Sequence, residues 1–297
     1  MRVRLKSLAK QTGDPLLVAQ QNALKVLINS AYGFMGARGV MWFDESAAAT
    51  VTEKGRETLM KMEEIIGLTQ RVLEVDTDGV LFEILDEDRL DAILDALREE
   101  TRFDYELDRY DASLVVSAKN YALLDGDKVV IKGASLMNRA QPQYIMKLMG
   151  ELVRRILELR RDSSVVDYDL VLGFLEESAA KIMDPVQVPD EMLIERVLAT
   201  GKTANRRDVV LDGSDQIVGG DTCYVYYAEG REKRVLSKSL PSELGLTLDR
   251  VAYVRKFYDA FARLFKIKEF ERAFKSRFGS RDLFIAHVAH GQTKLAV

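Results

Sequence analysis

An apolar run interrupted by two acids constrains the fold of this chain more than any other stretch. Residues 71–82 read Arg-Val-Leu-Glu-Val-Asp-Thr-Asp-Gly-Val-Leu-Phe. Branched aliphatic and aromatic residues favour strands, and an Asp-Gly pair between two such runs is the strongest short-range signal for a β-hairpin. The stretch therefore predicts a hairpin with Asp76 and Asp78 at its turn.

The two acids of this hairpin indicate a cation site. Side chains two residues apart on a strand face the same way, so Asp76 and Asp78 would project together if this part stays extended. Two like charges that close repel each other unless a cation lies between them. Mg²⁺ takes carboxylate oxygens together with waters and substrate phosphates. The pair thus favours magnesium-dependent phosphoryl chemistry, although an exposed acidic turn without a ligand fits the same pattern.

The charge distribution points to a phosphate-bearing partner for the N-terminal end. The 297 residues have an ordinary globular composition, 47% apolar and 30% charged, with a net charge of -4. Residues 1–38 nevertheless contain six basic residues against one acid, whereas residues 83–111 contain twelve acids against four arginines. The small net charge therefore hides a basic end that could meet phosphates.

The cysteine count and the apolar runs indicate where the chain resides. Cys223 is the only cysteine, which excludes an intramolecular disulfide and a cysteine metal site and fits a reducing compartment. The N-terminus lacks the apolar segment of a signal peptide, and no apolar run approaches the length of a membrane span. We therefore expect one large or two modest domains in the cytoplasm, with no membrane partner.

A helix with two distinct faces is predicted over Gln20–Gly33, after the start signal Asp14-Pro15. One face is apolar and consists of Leu24, Leu27, Ile28 and Ala31. The other carries a cation, two amides and an aromatic ring, on Asn22, Lys25, Asn29 and Tyr32. That mixture is unusual for a solvated stripe, although an ordinary amphipathic helix also accounts for it. Gly33, Gly36 and Gly39 are expected to break the helix.

Two more helices and a second hairpin follow. The periodicity predicts helices over Asp44–Ile66, with Ser46 as N-cap, and over Asp88–Glu100. Leu114–Leu124 and Lys128–Lys132 then flank Asp125-Gly126-Asp127, which is another hairpin signal. Lys119 and Tyr121 would share a strand face here and could lie along a phosphate backbone. Lysines that protect an exposed sheet edge would give the same pattern.

The chain becomes mainly helical after Gly133, and we place a domain boundary near 132–141. Helical spacing is found at Ile145–Arg161, Val166–Met183, Pro189–Ala199 and Asp249–Lys266, with a short β stretch at Thr222–Ala228. His287 and His290 could share a helical face, but two ligands without a third do not make a metal site.

The order of these motifs resembles the C-terminal half of a B-family DNA polymerase. The similar segments are Lys25-Val-Leu-Ile-Asn29-Ser-Ala-Tyr32-Gly, Val75-Asp76-Thr-Asp78, and Ala118-Lys119-Asn-Tyr121 followed by Lys132-Gly133. They look like the family's K-x-x-x-N-S-x-Y-G helix, its D-T-D hairpin, and its K-K-x-Y and K-G segments. The resemblance implies an α+β fold, with part of the fingers at 1–40, a palm of β-hairpins and packed helices at 41–135, and a mainly helical thumb at 136–297.

The resemblance also implies roles for individual residues. Asp78, with Asp76 beside it, would be catalytic and would bind two Mg²⁺ ions. Lys25 and Asn29 would face the incoming dNTP, and Tyr32 would lie under the nascent base pair. The primer-template DNA would be held by three residues, Lys119, Tyr121 and Lys132. The expected activity is nucleotidyl transfer from dNTP to a primer 3′-OH, in replication or repair at the nucleoid.

Three departures from the family pattern carry consequences. Gly79 stands where many relatives have serine, and Ala118 replaces one expected lysine. The earlier palm segment D-x-x-S-L-Y-P-S (motif A), with its own metal-binding aspartate, is absent from these residues, as is an exonuclease domain. A two-metal site needs that third carboxylate. We therefore expect an N-terminal polymerase subunit that supplies motif A and possibly an exonuclease, with Met1 falling inside the fingers of a split or truncated polymerase.

Two other functions fit parts of the sequence. The chain could be a noncatalytic DNA-binding subunit that kept the polymerase fold. Asp76-Thr77-Asp78-Gly79-Val80 also fits the D-x-D-G-[TV] pattern of haloacid-dehalogenase-like phosphatases, in which the first aspartate is the nucleophile. That family needs a doubly wound α/β sheet and a later acidic pair, and no convincing G-D-x-x-x-D follows the hairpin.

Overall fold

The chain divides into two compact units, Met1–Glu106 and Leu107–Val297. The computed structural model describes residues 1–133, 141–163, 166–200, 209–211 and 216–290. The domain boundary expected near 132–141 falls mostly on residues 134–140, outside the described residues. The division into fingers, palm and thumb therefore stays a prediction.

Three helices open the first unit: α1 (Arg2–Thr12), α2 (Pro15–Gly36) and α3 (Glu45–Gly67). The predicted start of α2 is confirmed, since Asp14 caps it by accepting a hydrogen bond from the Leu16 amide at 2.8 Å. Gly33 does not break the helix, which continues to Gly36. A single glycine costs a helix only about 1 kcal/mol relative to alanine, and the neighbouring residues tolerate it.

The N-cap of α3 differs from the prediction. Asp44, not Ser46, occupies that position, and its Oδ1 accepts a hydrogen bond from the Ala47 amide at 2.9 Å. Both residue types cap helices well, but the aspartate precedes the first helical residue and so reaches the free amides first. The helix body agrees with the prediction at its C-terminal half, where Met62 and Ile66 are buried.

The predicted acidic hairpin is confirmed. Strand β1 (Arg71–Asp76) pairs antiparallel with β2 (Gly79–Glu83), and Asp76 lies opposite Gly79. A 3-10 turn at Glu87–Arg89 then leads into α4 (Leu90–Thr101). The helix predicted over Asp88–Glu100 is thus confirmed, and its apolar face packs on α3, with Leu90, Ile93 and Leu97 buried. Helix α3 contacts α2, α4 and both strands, so it is the element around which this unit is assembled.

A three-stranded antiparallel sheet opens the second unit: β3 (Ala112–Ser117), β4 (Asn120–Asp125) and β5 (Lys128–Lys132). The β4–β5 hairpin is as predicted. Leu114–Leu124, however, is two strands instead of one, because the chain reverses at Ala118 and Lys119, where Lys119 has a φ of 59°. Left-handed backbone at a lysine is uncommon, and the residue pattern of the strand does not predict it.

Six helices follow among the described residues of this unit: α5 (Gln143–Asp162), α6 (Tyr168–Met183), α7 (Asp190–Leu193), α8 (Arg250–Phe261), α9 (Lys268–Phe278) and α10 (Arg281–Ala289). Helix α5 packs on β3 and β4, and α6 and α8 pack on α5. The predicted long helix at 249–266 is confirmed only to Phe261, after which Ala262–Lys266 is 3-10. Aromatic rings fill the core between the last helices. Five of them are almost fully buried, namely Phe257, Phe261, Phe270, Phe274 and Phe284.

A second sheet has the strand order β6-β8-β9-β7: β6 (Glu195–Leu198), β7 (Val209–Leu211), β8 (Thr222–Tyr226) and β9 (Arg234–Ser237). Strand β8 confirms the predicted β stretch. The helix predicted over Pro189–Ala199 is wrong beyond Leu193, because the next residues pair with β8 and alternate in exposure. Pairing with β8 overrides the weak helical spacing, and it brings Glu195 to Arg234, whose guanidinium is buried.

The predicted α+β class is therefore confirmed. No helix within the described residues is long and apolar enough to cross a membrane.

Glu176 on α6 ties together the last two helices. Its Oε2 accepts from the Arg277 guanidinium at 2.8 Å, and its Oε1 lies 2.6 Å from Nε2 of His287. Burial raises the pKa of Glu176, but the hydrogen bonds and charges of His287 and Arg277 outweigh burial and leave that pKa below its ordinary value. His287 is thus engaged by a carboxylate, and no group of three potential metal ligands exists among the described residues.

We predict that Glu176→Gln lowers the free energy of unfolding at pH 7 by about 1–3 kcal/mol, as expected when a hydrogen-bonded charged group is removed. A folded-state pKa below the unfolded value means that the stabilisation is present above the ordinary glutamate pKa and is lost as pH falls. The difference between the two proteins should therefore shrink towards about pH 3, as measured by urea denaturation.

The neighbouring Glu177→Gln is the matched control, because Glu177 is exposed and pairs only with Lys181 within the described residues. Equal losses from both substitutions, or a loss from Glu176→Gln that does not change with pH, would contradict the assigned role of Glu176.

Candidate functional site

The two acids of the hairpin lie at different places in it. Asp76 is the last residue of β1, and Asp78 is the second residue of the two-residue turn. The expectation of a shared strand face required an extended backbone, so that argument does not apply to Asp78. Thr77 orients Asp76, because its amide and its hydroxyl donate to Asp76 Oδ1 at 2.7 and 3.1 Å.

The turn is also not the mirrored type that an Asp-Gly pair usually forms. None of its residues, Gly79 included, has a positive φ, whereas the mirrored turns require one. A cross-strand irregularity between Val72 and Glu74 adds one unpaired residue to β1, and such bulges increase the local twist of a hairpin and redirect its side chains.

A buried glutamine fastens the base of this hairpin. Gln70 is only 4% exposed and directly precedes β1. Its side-chain oxygen accepts from the amides of Leu85 and Asp86 at 2.7 and 3.2 Å, and its side-chain nitrogen donates to the Asp86 carbonyl at 2.7 Å. One side chain thus joins the segments that enter and leave the hairpin. Sequence reasoning missed Gln70, since a polar residue at a strand start carries no pattern of its own.

We predict that Gln70→Ala lowers the free energy of unfolding of the first unit by about 1–3 kcal/mol, because it removes three hydrogen bonds made by a buried side chain. Hydrogen exchange at the amides of Leu85 and Asp86 should accelerate, and this is the direct measurement. Gln21→Ala on α2, where the glutamine bonds only the exposed Asn22 side chain, is the control. Unchanged exchange at Leu85 would contradict the role of Gln70 as a fastener.

Lys25, Asn29 and Tyr32 share one exposed face of α2, as predicted. The Tyr32 hydroxyl lies 3.5 Å from the Thr52 hydroxyl of α3. These residues and the acidic hairpin belong to the same unit, and α3 contacts both α2 and the hairpin. The structure therefore places a cation, an amide and a ring on a helix that α3 connects to the two acids.

The apolar side of α2 is exposed as well. The 22-residue helix has no buried residue, and Leu27 and Ile28 of the predicted apolar face are 64% and 55% exposed. Leu16, Leu27 and Phe34 are exposed and lie at i, i+11 and i+18, which places them on one face of an α-helix with 3.6 residues per turn. A helix of this composition normally packs in a core.

The second group of candidate residues lies at one end of the β3–β5 sheet. Tyr121 and Lys132 are cross-strand partners on β4 and β5, so they share a face. Lys119 does not share the Tyr121 strand face as predicted, because it lies in the β3–β4 turn with left-handed backbone. All three residues nevertheless lie at the same end of the sheet.

Position 133, at this end of the sheet, can be occupied without strain only by glycine. Gly133 has a φ of 85°, and a Cβ added there would lie 2.2 Å from the Lys119 carbonyl oxygen and 2.4 Å from the Asn120 side-chain oxygen. Both a positive φ and a close backbone approach are available only to glycine. The residue after Lys132 therefore packs against the turn that carries Lys119 and brings the two lysines together.

Gly133→Ala should displace the Lys119 turn and lower the free energy of unfolding by about 1–3 kcal/mol, the cost of strained backbone together with a close contact. Gly79→Ala is the matched control, because Gly79 has no atom within 4 Å of an added Cβ and no positive φ. Chemical denaturation measures both. If Gly133→Ala and the unaltered chain are equally stable, the Lys119 turn can shift without loss of folding free energy and the prediction is wrong.

The donor chemistry of the hairpin suits magnesium only in part. Carboxylate oxygens are the ligands that Mg²⁺ prefers, and Asp76 and Asp78 provide them. The described residues contain no group of three or more acidic, histidine or cysteine side chains that could hold a metal. Glu106, in the nearby Asp104-Tyr105-Glu106 triplet, pairs with Lys6 at 2.7 Å. A full two-metal site needs at least one further carboxylate.

A family model decides how these features are interpreted. The model described as "DNA polymerase family B" matches residues 1–207, which is more than two thirds of the chain. The chain belongs to DNA polymerase family B. The match covers both groups of candidate residues and includes α2, the acidic hairpin and the β3–β5 sheet.

Individual relatives agree with this family. The chain is 32% identical to a DNA polymerase of Archaeoglobus fulgidus over 186 residues, which cover 59% of this chain and 24% of that protein. It is 28% identical to a DNA polymerase of Thermococcus gorgonarius over 212 residues, covering 65% and 26% of the two proteins. The chain therefore spans about a quarter of the length of these relatives.

A solved structure shares the fold. The family B DNA polymerase from the hyperthermophilic archaeon Pyrobaculum calidifontis superposes with a TM-score of 0.63 at 20% identity, covering 89% of this chain and 36% of that chain. The predicted polymerase-like α+β fold with a helical C-terminal region is thereby confirmed.

Proposed function

We propose that this family B chain is the C-terminal catalytic part of a DNA-directed DNA polymerase and transfers nucleotides from dNTP to a primer 3′-OH opposite a template. The observation that carries the proposal is the placement of Asp76 and Asp78 in one unit with the Lys25, Asn29 and Tyr32 face, joined through α3. On this proposal residues 1–40 are part of the fingers, 41–135 the palm and 136–297 the thumb, and the protein works at the nucleoid in replication or repair.

The face of α2 receives the incoming nucleotide. Lys25 is exposed and has no acidic partner among the described residues, so its ammonium is available to offset triphosphate charge. Asn29, one turn further along, donates to or accepts from the same nucleotide. The Tyr32 ring stacks at the nascent base pair, and a ring tests the shape of the pair without reading its sequence.

Asp76 and Asp78 hold the catalytic magnesium ions. Their turn is fastened by Gln70 at the base and by Thr77 beside Asp76, so the carboxylates approach the cations from a fixed backbone. Bound Mg²⁺ supplies neutralisation of the phosphate charge in nucleotidyl transfer. Lys119, Tyr121 and Lys132 hold the primer-template DNA through its backbone, which positions the duplex independently of sequence.

The third carboxylate comes from an N-terminal polymerase polypeptide that carries the D-x-x-S-L-Y-P-S segment. Two observations support this partner: the described residues contain no group of three or more potential metal ligands, and α2 exposes an apolar stripe at Leu16, Leu27 and Phe34. Because that stripe runs along one face for about five turns of the helix, it fits one helix of the partner packed lengthwise along α2. Burial of apolar surface drives such an association.

A noncatalytic DNA-binding subunit remains the second candidate, because two acids without a third cannot complete the metal site. The phosphatase alternative has no such support. Strands β1 and β2 form a two-stranded antiparallel sheet, whereas the D-x-D-G-[TV] enzymes need the motif at the end of a parallel strand in a doubly wound sheet.

We predict that the chain, mixed with a polypeptide that carries the D-x-x-S-L-Y-P-S segment, extends a labelled primer in the presence of Mg²⁺ and dNTPs. Asp78→Ala should reduce extension by about 10³-fold or more, as expected when an essential electrostatic group of the transition state is lost, while primer-template binding remains. Asp127→Ala at the β4–β5 turn, which is also an exposed acid beside a hairpin glycine, should extend normally.

The results separate the candidate functions. Extension that survives Asp78→Ala would contradict catalysis by this hairpin. Salt-dependent primer-template binding with no extension in any mixture would favour the noncatalytic subunit.

A further inference from the structure

A lysine far along the sequence reaches the turn that carries Lys119. Lys266 Nζ donates to the Ser117 hydroxyl at 3.2 Å, and Ser117 is the last residue before that turn. Asn120 Nδ2, on the other side of the turn, donates to the same hydroxyl at 3.2 Å. Lys266 lies outside residues 1–207, so neither the family match nor the motifs of the sequence assign it a role.

The segment that carries Lys266 is held rigidly. Leu264 is fully buried, and the Phe265 ring packs edge-on against Phe261 with centroids 5.5 Å apart. The Ile267 amide closes the 3-10 turn on the Leu264 carbonyl at 2.9 Å. Lys266 itself is exposed, so its backbone is fixed by the core while its ammonium points to solvent at the sheet end.

Three lysines lie at this end of the sheet. Lys119 is in the turn next to Ser117, and Gly133 packs against the Lys119 carbonyl and so brings Lys132 to the same place. Lys266 has no acidic partner among the described residues. An ammonium has three donors, of which the Ser117 hydroxyl uses one. Like charges close together favour an anionic ligand.

We propose that Lys266 is a DNA-binding residue that contacts a backbone phosphate of the primer-template duplex beside Lys119 and Lys132. The inference rests on the proposed polymerase function and extends its DNA-binding surface to the 3-10 segment Ala262–Lys266. The contact is to phosphate, because an ammonium on this segment is a point charge without the paired donors that read a base edge. It strengthens binding to all sequences alike.

The test is the affinity of the full chain for a primer-template duplex, measured by fluorescence anisotropy over a range of salt concentrations without nucleotide or metal. Lys266→Met keeps the apolar stem and removes the charge. It should weaken binding about fivefold near 0.15 M salt and reduce the slope of log affinity against log salt by about 1, the signature of one lost phosphate contact. Lys266→Arg should retain both the affinity and the slope.

Lys275→Met is the matched control, because Lys275 is exposed on the next helix and pairs with Glu271. Its affinity and slope should equal those of the unaltered chain. Urea midpoints of all variants show that each is folded. A Lys266→Met variant that is folded and keeps the unaltered slope, or an equal loss from Lys275→Met, would overturn the inference.

The outcome also distinguishes this inference from the proposed function. If Lys266→Met binds normally while Asp78→Ala still abolishes extension, the role of Lys266 is wrong and the polymerase proposal stands. If neither the unaltered chain nor its mixture with the polypeptide that carries the D-x-x-S-L-Y-P-S segment binds primer-template DNA at any salt concentration, both are wrong.

Discussion

The hydrogen bonds of the buried Gln70 side chain are the interaction on which the acidic hairpin depends. Asp76 ends β1 and Asp78 lies in the two-residue turn after it, so both acids are positioned by a hairpin whose base must be held. Gln70 provides that by joining the segments before and after the hairpin with three hydrogen bonds. Both polar atoms of the Gln70 side chain are hydrogen-bonded, so burying this amide carries little desolvation penalty. Helix α3 then relates the hairpin to α2.

The sequence was sufficient for features encoded within a few residues. The Asp14-Pro15 cap, the acidic hairpin and the β4–β5 hairpin follow from local turn and capping chemistry. The β3–β4 turn could not be predicted in this way, because Lys119 adopts a left-handed backbone that only tertiary contacts explain, above all the close approach of Gly133. Strand β6 was missed for the same reason, since pairing with β8 outweighs its local preference. Gln70 and Lys266 act through partners 15 and 149 residues away, which no pattern reveals.

Helix α2 shows that exposed apolar residues can be as informative as buried ones. Its apolar residues predicted a face that belongs in a core, yet the helix has no buried residue. Scattered exposed aliphatic residues are normal on a surface, but a stripe at Leu16, Leu27 and Phe34 on a helix that also bears the Lys25 face is not scattered. The chain spans about a quarter of its relatives. The exposed apolar face of α2 is thus the feature of the described residues that supports the proposed partner polypeptide.

On the proposed function, the acids of the hairpin and the lysines of the β3–β5 sheet end have different tasks. The acids at the hairpin lie in the unit Met1–Glu106, whereas Lys119, Lys132 and Lys266 lie in the unit Leu107–Val297. Acids that hold cations repel the DNA backbone, and lysines that hold the backbone repel the same cations. If the proposed function holds, DNA binding and nucleotidyl transfer are separable by single substitutions, since a phosphate contact changes salt-dependent affinity and a carboxylate at the turn changes the chemical step.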